Sequence, residues 1–134
     1  MCAAVVARDH VGKVIWVVTS KLDFSNALCG EAMACCLALQ EAKARGVKFL
    51  ILESDSRVVI NALNGQDSRW EIDNYVSFCK ITSPLFSGCT FEFVSRQCNF
   101  MAHNVAKWAF SHQRFGLVPL SSMPETIFCN DREV

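Results

Sequence analysis

The sequence has no excess of charge of either sign, because 13 lysines and arginines balance 13 aspartates and glutamates. This balance excludes a chain that wraps nucleic acid through its overall charge, although it leaves room for a local basic groove. Charged residues are also few, at 19% against 51% hydrophobic residues, a ratio that excludes a disordered chain. A length of 134 residues suits one domain with its own core.

Long hydrophobic runs are missing as well. The longest uncharged apolar stretch, residues 32–39, is far shorter than the roughly 20 residues that a membrane-spanning helix needs. The apolar N-terminus stops at Arg8 and Asp9 and has no basic segment before it, so it does not fit a signal peptide. We therefore expect an intracellular protein, in the nucleus or the cytoplasm, without a membrane segment.

Eight cysteines raise the question of a disulfide framework, but the chain contains no C-x-x-C motif. Cys35, Cys36 and Cys79 lie within apolar stretches, and no secretory signal accompanies them. This placement predicts free, buried thiols in a reducing compartment.

Local patterns predict the first elements of the fold. Two apolar runs at residues 3–7 and 14–19 flank a polar segment, and they predict a β-hairpin in which Gly12 supplies the positive φ of the turn. Strong helix formers occupy residues 30–45, and Gly46 follows them where a helix typically ends.

Residues 49–52 are apolar without alternation, which predicts a strand that is covered on both faces and paired in parallel. The remaining predicted elements are a half-exposed strand at residues 90–94 and helices at residues 56–63, 71–85 and 99–112. The order β-β-α-β-α-α-β-α predicts an α/β domain. We place this domain at residues 1–115 and expect an irregular tail at residues 116–134, where prolines and polar residues recur.

Glu31 is the only charged residue between Leu28 and Leu39, and it stands near the start of a predicted buried helix. A buried carboxylate is costly unless something compensates it. One interpretation is a first-turn glutamate that the helix dipole stabilises by roughly 0.3–1 kcal/mol. The other interpretation is a functional carboxylate.

Asp55 directly follows the predicted buried strand. In open α/β sheets, ligands bind in the crevice beyond the carboxyl ends of the strands, so this position favours a functional side chain. The alternative is a helix cap, since Ser54, Asp55 and Ser56 are all competent to cap the helix that begins near Ser56.

Several motifs stand in a fixed order along the chain. They are R-D-H-V-G-K-V at residues 8–14, Glu31-Ala32 at the long helix, L-E-S-D-S at residues 52–56, N-A-L-N at residues 61–64, and V-S-R-Q-C-N-F-M-A-H-N-V-A-K at residues 94–107. Together they resemble the plant reverse-transcriptase-like branch of ribonuclease H (RNase H) domains, whose signature near the end is R-x-x-N-x-x-A-D/H-x-x-A-K. The resemblance covers about residues 3–112 and implies a mixed sheet that is flanked by helices.

This resemblance implies a metal-dependent endonuclease that hydrolyses the RNA strand of an RNA–DNA hybrid. Such enzymes hold two Mg²⁺ ions between carboxylates, since Mg²⁺ prefers oxygen ligands. By the family's motifs, Glu31 and Asp55 are the metal-binding, catalytic carboxylates, and His103 occupies the last catalytic position. Arg96 and Asn99 are then candidates for contact with nucleic acid. Their alternatives are a surface charge for Arg96 and a helix cap for Asn99.

Two departures from the family pattern predict impaired catalysis. The family's first catalytic aspartate lies in a strand before the hairpin, and this sequence contains no such strand. His103 replaces the last carboxylate; histidine suits Zn²⁺ or Mn²⁺ better than Mg²⁺, and it repels a cation when it is protonated. The alternatives to an impaired nuclease are an inactive module that binds nucleic acid or protein, a fragment of a retroelement-derived protein, and a structural α/β domain.

The absent strand also matters for the sheet, because in this family it is the central one, between the hairpin and residues 49–52. We therefore expect an N-terminally truncated domain whose strands leave unpaired edges. Such edges favour self-association through strand pairing.

Overall fold

The computed structural model describes residues 2–22 and 26–128, and the chain divides into two compact units. Unit 1 combines residues 1–25 with residues 97–134, and unit 2 is the continuous segment of residues 26–96. The helices and strands, in chain order, are β1 (Cys2–Arg8), β2 (Val14–Lys21), α1 (Ala27–Ala44), β3 (Phe49–Ser54), α2 (Arg57–Leu63), α3 (Asp73–Thr82), β4 (Gly88–Phe93), α4 (Phe100–His112) and β5 (Gly116–Leu117). The predicted order of elements and the α/β class are therefore confirmed, with β5 added.

The hairpin of unit 1 forms as the sequence predicts. β1 and β2 pair antiparallel, and Gly12 has a φ of 87° in the turn between them. The Asp9 carboxylate closes this turn, because it accepts hydrogen bonds from the backbone N–H groups of Val11 (3.0 Å) and Lys13 (2.9 Å). Local turn chemistry thus fixes the hairpin register.

The core of unit 1 draws on residues far apart in the sequence. α4 packs against β1, and Val17 and Val105 are fully buried there. Residues 116–128, which fall in the predicted irregular tail, contain β5 and two 3₁₀ turns, and they bring Val118 and Met123 into the same core. Apolar residues among the polar ones anchor this segment. The domain boundary at residue 115 stays a prediction.

Unit 2 is built around α1. This helix begins three residues earlier than predicted, because the Asn26 side chain caps it by accepting the Cys29 N–H at 3.1 Å. It ends as predicted, with Gly46 at a φ of 73° just beyond Arg45. α1 packs against α3 and β3, and its side chain Leu39 is completely buried.

β3 and β4 form a parallel ladder, as the sequence predicts, but the prediction that residues 49–52 are covered on both faces is wrong. Leu52 is buried, whereas Phe49 and Ile51 are 75% and 62% exposed. α1 and α2 contact β3, and the alternate residues of the strand are the more buried ones. An apolar run shows that both faces of a strand tolerate burial, but it does not show how many layers surround it.

Each unit has its own ladder among the described strands. One sheet has the order β1-β2-β5 and the other has the order β3-β4. β1 and β3 therefore each pair along one edge only in the described part of the chain, which agrees with the predicted unpaired edges. Truncation and self-association stay predictions.

The structure also bears on the predictions about the cysteines and about membrane segments. All cysteines within the described residues are free thiols, and Cys35, Cys36 and Cys79 are buried as predicted, whereas Cys98 is exposed. Within the same residues, no helix combines the length and the hydrophobicity that crossing a bilayer requires. The nuclear or cytoplasmic location stays a prediction.

Candidate functional site

Glu31 lies in the second turn of α1, because this helix begins at Ala27. The first turn contains no acidic residue, so the interpretation of Glu31 as a first-turn glutamate held by the helix dipole is wrong. Glu31 is half-buried between the buried residues Gly30 and Ala32. Partial burial of a carboxylate costs desolvation energy, and the helix dipole does not compensate this cost at Glu31.

Glu31 lies on the same side of α1 as the buried residue Cys35. Cys35 follows one turn later on the same row of the helix and is buried. Burial raises the pKa of the Cys35 thiol, and the charges of Cys36 and Glu31 add to the rise. The Glu31 carboxylate therefore lies close enough to the buried row of α1 to influence it.

Asp55 lies in the bend between β3 and α2 and is half-buried. The capping interpretation of this residue is wrong, because Ser56 caps α2: its Oγ accepts the N–H of Val59 at 3.4 Å. Ser54 supports the bend, since its Oγ accepts the N–H of Ser56 at 3.1 Å. The two serines thus carry the local structure, and the carboxylate stands at the carboxyl end of a parallel strand.

Glu31 and Asp55 lie at the same end of unit 2. Residues 45–48 connect α1 directly to β3, and the two elements pack against each other, so they run in opposite directions. Glu31 lies thirteen residues before the end of α1, a rise of about 20 Å, and Asp55 lies six residues after the start of β3, also about 20 Å. Counted along each element from the connection, the backbones of the two residues lie at similar heights.

Arg96 belongs to the same unit, and Asn99 and His103 belong to unit 1. Arg96 is exposed in the turn that follows β4. Asn99 occupies the N-cap position of α4, but its side chain makes no capping hydrogen bond, so the capping alternative is not supported. His103 lies half-buried in the first turn of α4. The roles of all five candidate residues stay predictions.

The donor set is too small for the predicted pair of Mg²⁺ ions. Across residues 2–22 and 26–128, no three histidine, cysteine, aspartate or glutamate side chains are grouped in a way that would hold a metal ion. Glu31 and Asp55 offer the oxygen ligands that Mg²⁺ prefers, but two carboxylates do not complete a two-ion site. The residues present therefore do not fit the full metal centre.

No pattern in the sequence predicts the contact between two residues near Asp55. The guanidinium of Arg57 stacks over the ring of Phe93, although 36 positions separate the two residues. Neither residue belongs to a motif with a known chemical role, so only the tertiary structure brings the pair to attention.

The fold defines a class of protein. RNase H1 from the halophilic archaeon Halobacterium salinarum NRC-1 matches with a TM-score of 0.78 at 18% identity, over 83% of this chain and 86% of that chain. The N-terminal RNase H domain of a Mycobacterium tuberculosis protein, solved as a fusion with maltose-binding protein, matches with a TM-score of 0.74 at 16% identity, over 81% of each chain. The chain therefore has the RNase H fold.

The sequence identifies the family within the proteins that share this fold. The profile of the reverse transcriptase-like family matches residues 2–109, which is most of the chain. The chain belongs to this family of RNase H-like domains, as its motifs predict. Among curated proteins, no sequence is similar enough to count as a relative.

Proposed function

We propose that this chain is an RNase H-like domain that binds RNA–DNA hybrids and hydrolyses them weakly or not at all. The observation that carries the proposal is the position of Asp55 at the carboxyl end of β3, in a bend that two serines stabilise. By the lengths of α1 and β3, Glu31 lies at the same end of unit 2. The proposal is supported by the general tendency of α/β folds to bind ligands beyond the carboxyl ends of their strands.

The proposed roles follow from the chemistry of each side chain. Glu31 and Asp55 are the carboxylates that would contact a divalent cation, Mg²⁺ by preference, and their number allows at most weak binding. Arg96 is exposed and would contact a phosphate, and Asn99 is a second candidate for contact with nucleic acid. His103 stands at the family's last catalytic position and offers no negative charge there, which supports impaired hydrolysis.

Binding is tested by fluorescence anisotropy with a labelled RNA–DNA hybrid and with the DNA duplex of the same sequence, both in a chelating buffer. We expect saturable binding that is tighter for the hybrid. Equal weak binding to both duplexes, or none, would contradict a hybrid-binding domain.

Hydrolysis is tested on the same labelled hybrid with Mg²⁺ or Mn²⁺, by gel electrophoresis of the products. We expect little or no metal-dependent cleavage. Strong cleavage that disappears in Glu31→Gln but persists in Glu41→Gln would show that the carboxylates present suffice. Glu41 is the matched control, because it lies on the same helix and pairs with Arg45 at 3.7 Å.

A second role, self-association through strand edges, is favoured by the exposed side chains of β3. We propose that two copies pair along the edge of β3 that no described strand occupies, and that Phe49 and Ile51, exposed on the face of the strand, bury apolar surface in the dimer. Sedimentation velocity should then detect a dimer whose population falls in Ile51→Lys and is unchanged in Ile81→Lys, because Ile81 is also an exposed isoleucine but lies on α3. A chain that stays monomeric at every concentration would rule this role out.

A further inference from the structure

Arg57 and Phe93 form a stacked pair at the carboxyl ends of the two parallel strands of unit 2. The Cζ atom of Arg57 lies 4.1 Å from the centroid of the Phe93 ring, well within the roughly 6 Å reach of a cation–π contact. Arg57 is the first residue of α2, and Phe93 is the last residue of β4. The fold thus assembles the pair from separate elements.

The pair lies beside Asp55. In the parallel ladder, Phe93 is the register partner of Ser54, the residue before Asp55. The backbone N–H of Val94 donates to the Ser54 carbonyl at 2.9 Å, so the ladder continues to this point. Neighbouring strands are about 4.8 Å apart, and Arg57 follows Asp55 by two residues. These residues therefore share one patch at the strand ends.

Stacking leaves the hydrogen-bond donors of Arg57 unused. The guanidinium carbon lies over the ring, and the N–H groups of a guanidinium lie in its own plane, where they can reach a ligand. Arg57 is exposed, and no carboxylate of the described residues forms an ion pair with it. Phe93 is 39% exposed, so its ring serves as a platform at the surface rather than as a core residue.

We propose that the Arg57–Phe93 pair binds a phosphate of the nucleic-acid backbone, an inference that rests on the proposed function. A polyanion approaches two carboxylates only where cations compensate their charge, and Arg57 is the cation nearest to Asp55 along the chain. The ring holds the guanidinium in one orientation, so less freedom is lost when its N–H groups make a bidentate contact with phosphate oxygens.

The experiment measures the affinity of the full chain for a labelled RNA–DNA hybrid over a series of NaCl concentrations. Arg57→Ala should weaken binding about tenfold and reduce the slope of log affinity against log salt by about 0.9, since one phosphate contact is lost. Arg57→Lys should keep the slope and still weaken binding, because the charge remains while the flat, bidentate group is lost.

Phe93→Leu tests the platform. It should weaken binding without changing the salt slope, and Arg57→Ala should then cost less in its presence than in the wild type. Phe93→Tyr keeps the ring and should bind like the wild type, which covers the case in which Phe93→Leu fails to fold. Arg69→Ala is the matched control, because Arg69 is an exposed arginine of the same unit that pairs with Asp67 at 3.6 Å.

The outcomes separate the two proposals. If the wild type binds the hybrid and Arg57→Ala behaves like Arg69→Ala, the phosphate contact is overturned and the proposed function stands. If the two substitutions at Arg57 and Phe93 are additive, the ring does not position the arginine. If the wild type does not bind the hybrid at any salt concentration, both proposals fall.

Discussion

Unit 2 carries both candidate carboxylates, whereas unit 1 carries a histidine at the signature position, and their helices begin differently as well. In unit 2, Asn26 and Ser56 cap α1 and α2 with their side chains. In unit 1, Asn99 precedes α4 without capping it. Two of the three helices of unit 2 thus begin at a side-chain cap that is not a candidate carboxylate, whereas α3, like α4 of unit 1, begins without a side-chain cap.

The largest expected change in the free energy of unfolding comes from substitutions in the cores of the two units. Leu39→Ala removes a fully buried side chain from unit 2 and should lower the free energy of unfolding by about 2–5 kcal/mol. Val105→Ala removes fewer buried carbon atoms from unit 1 and should cost less. Urea unfolding followed by circular dichroism measures both. Ile81→Ala is the control, because Ile81 is 74% exposed, and a loss as large as that of Leu39→Ala would contradict the assignment of the core.

The buried thiol of Cys35 in unit 2 should make the stability of the chain depend on alkaline pH. The pKa of Cys35 is raised in the folded chain above its ordinary value of 9.0, so the folded state holds a proton that the unfolded state releases. The contribution is fully present below pH 9.0 and is lost above it, by about 1.4 kcal/mol per pH unit.

Urea unfolding at a series of alkaline pH values checks this expectation in the wild type and in Cys35→Ala. The variant should show a shallower loss of stability with rising pH, because it lacks the titrating thiol. Equal slopes in the two proteins would show that the Cys35 thiol does not stay protonated in the fold.

The capping difference between the units should appear in a matched pair of substitutions. Ser56→Ala should lower the free energy of unfolding by about 1 kcal/mol, since it removes the hydrogen bond to the Val59 N–H. Asn99→Ala should cost less than about 0.5 kcal/mol, because no capping bond is lost. Urea midpoints compare the two, and a larger loss in Asn99→Ala would reverse the assignment of the caps.

The smallest expected effect lies in the parallel ladder of unit 2. Glu53 and Glu92 are register partners and both are exposed, so their like charges stand side by side. Glu92→Lys should stabilise the chain by about 0.2–1 kcal/mol, and Glu92→Gln by less, because the first change adds attraction and the second only removes repulsion. Thermal unfolding at low and at high salt checks this, since the gain should shrink as salt screens the charges.

Local chemistry made much of this fold predictable from the sequence. The hairpin at Gly12 and the end of α1 at Gly46 depend on residues within one turn of the chain, and both are confirmed. The exposure of Phe49 was not predictable, because an apolar pattern does not reveal which layers cover a strand. The earlier start of α1 was not predicted either, because Asn26 lies outside the run of strong helix formers on which the prediction depended.

The candidate site was predictable to a smaller extent. Glu31 and Asp55 stand out in the sequence by their surroundings, but three adjacent residues were equally able to cap α2, and only the structure selects Ser56. The Arg57–Phe93 contact joins two elements, and no short-range rule connects them. Motif order identified the family, whereas residue-level roles depend on tertiary contacts.

The discontinuous make-up of unit 1 has a consequence for the order of events during synthesis. Unit 2 is one continuous segment, so all of its residues are synthesised before α4 is. The hairpin of unit 1 is synthesised before unit 2, but some of its partners lie far downstream: the Thr19 hydroxyl donates to the Arg114 carbonyl, 95 residues later, at 2.6 Å. Closing such long loops is slow. The hairpin strands therefore gain their full set of contacts only after unit 2 and α4 have been made.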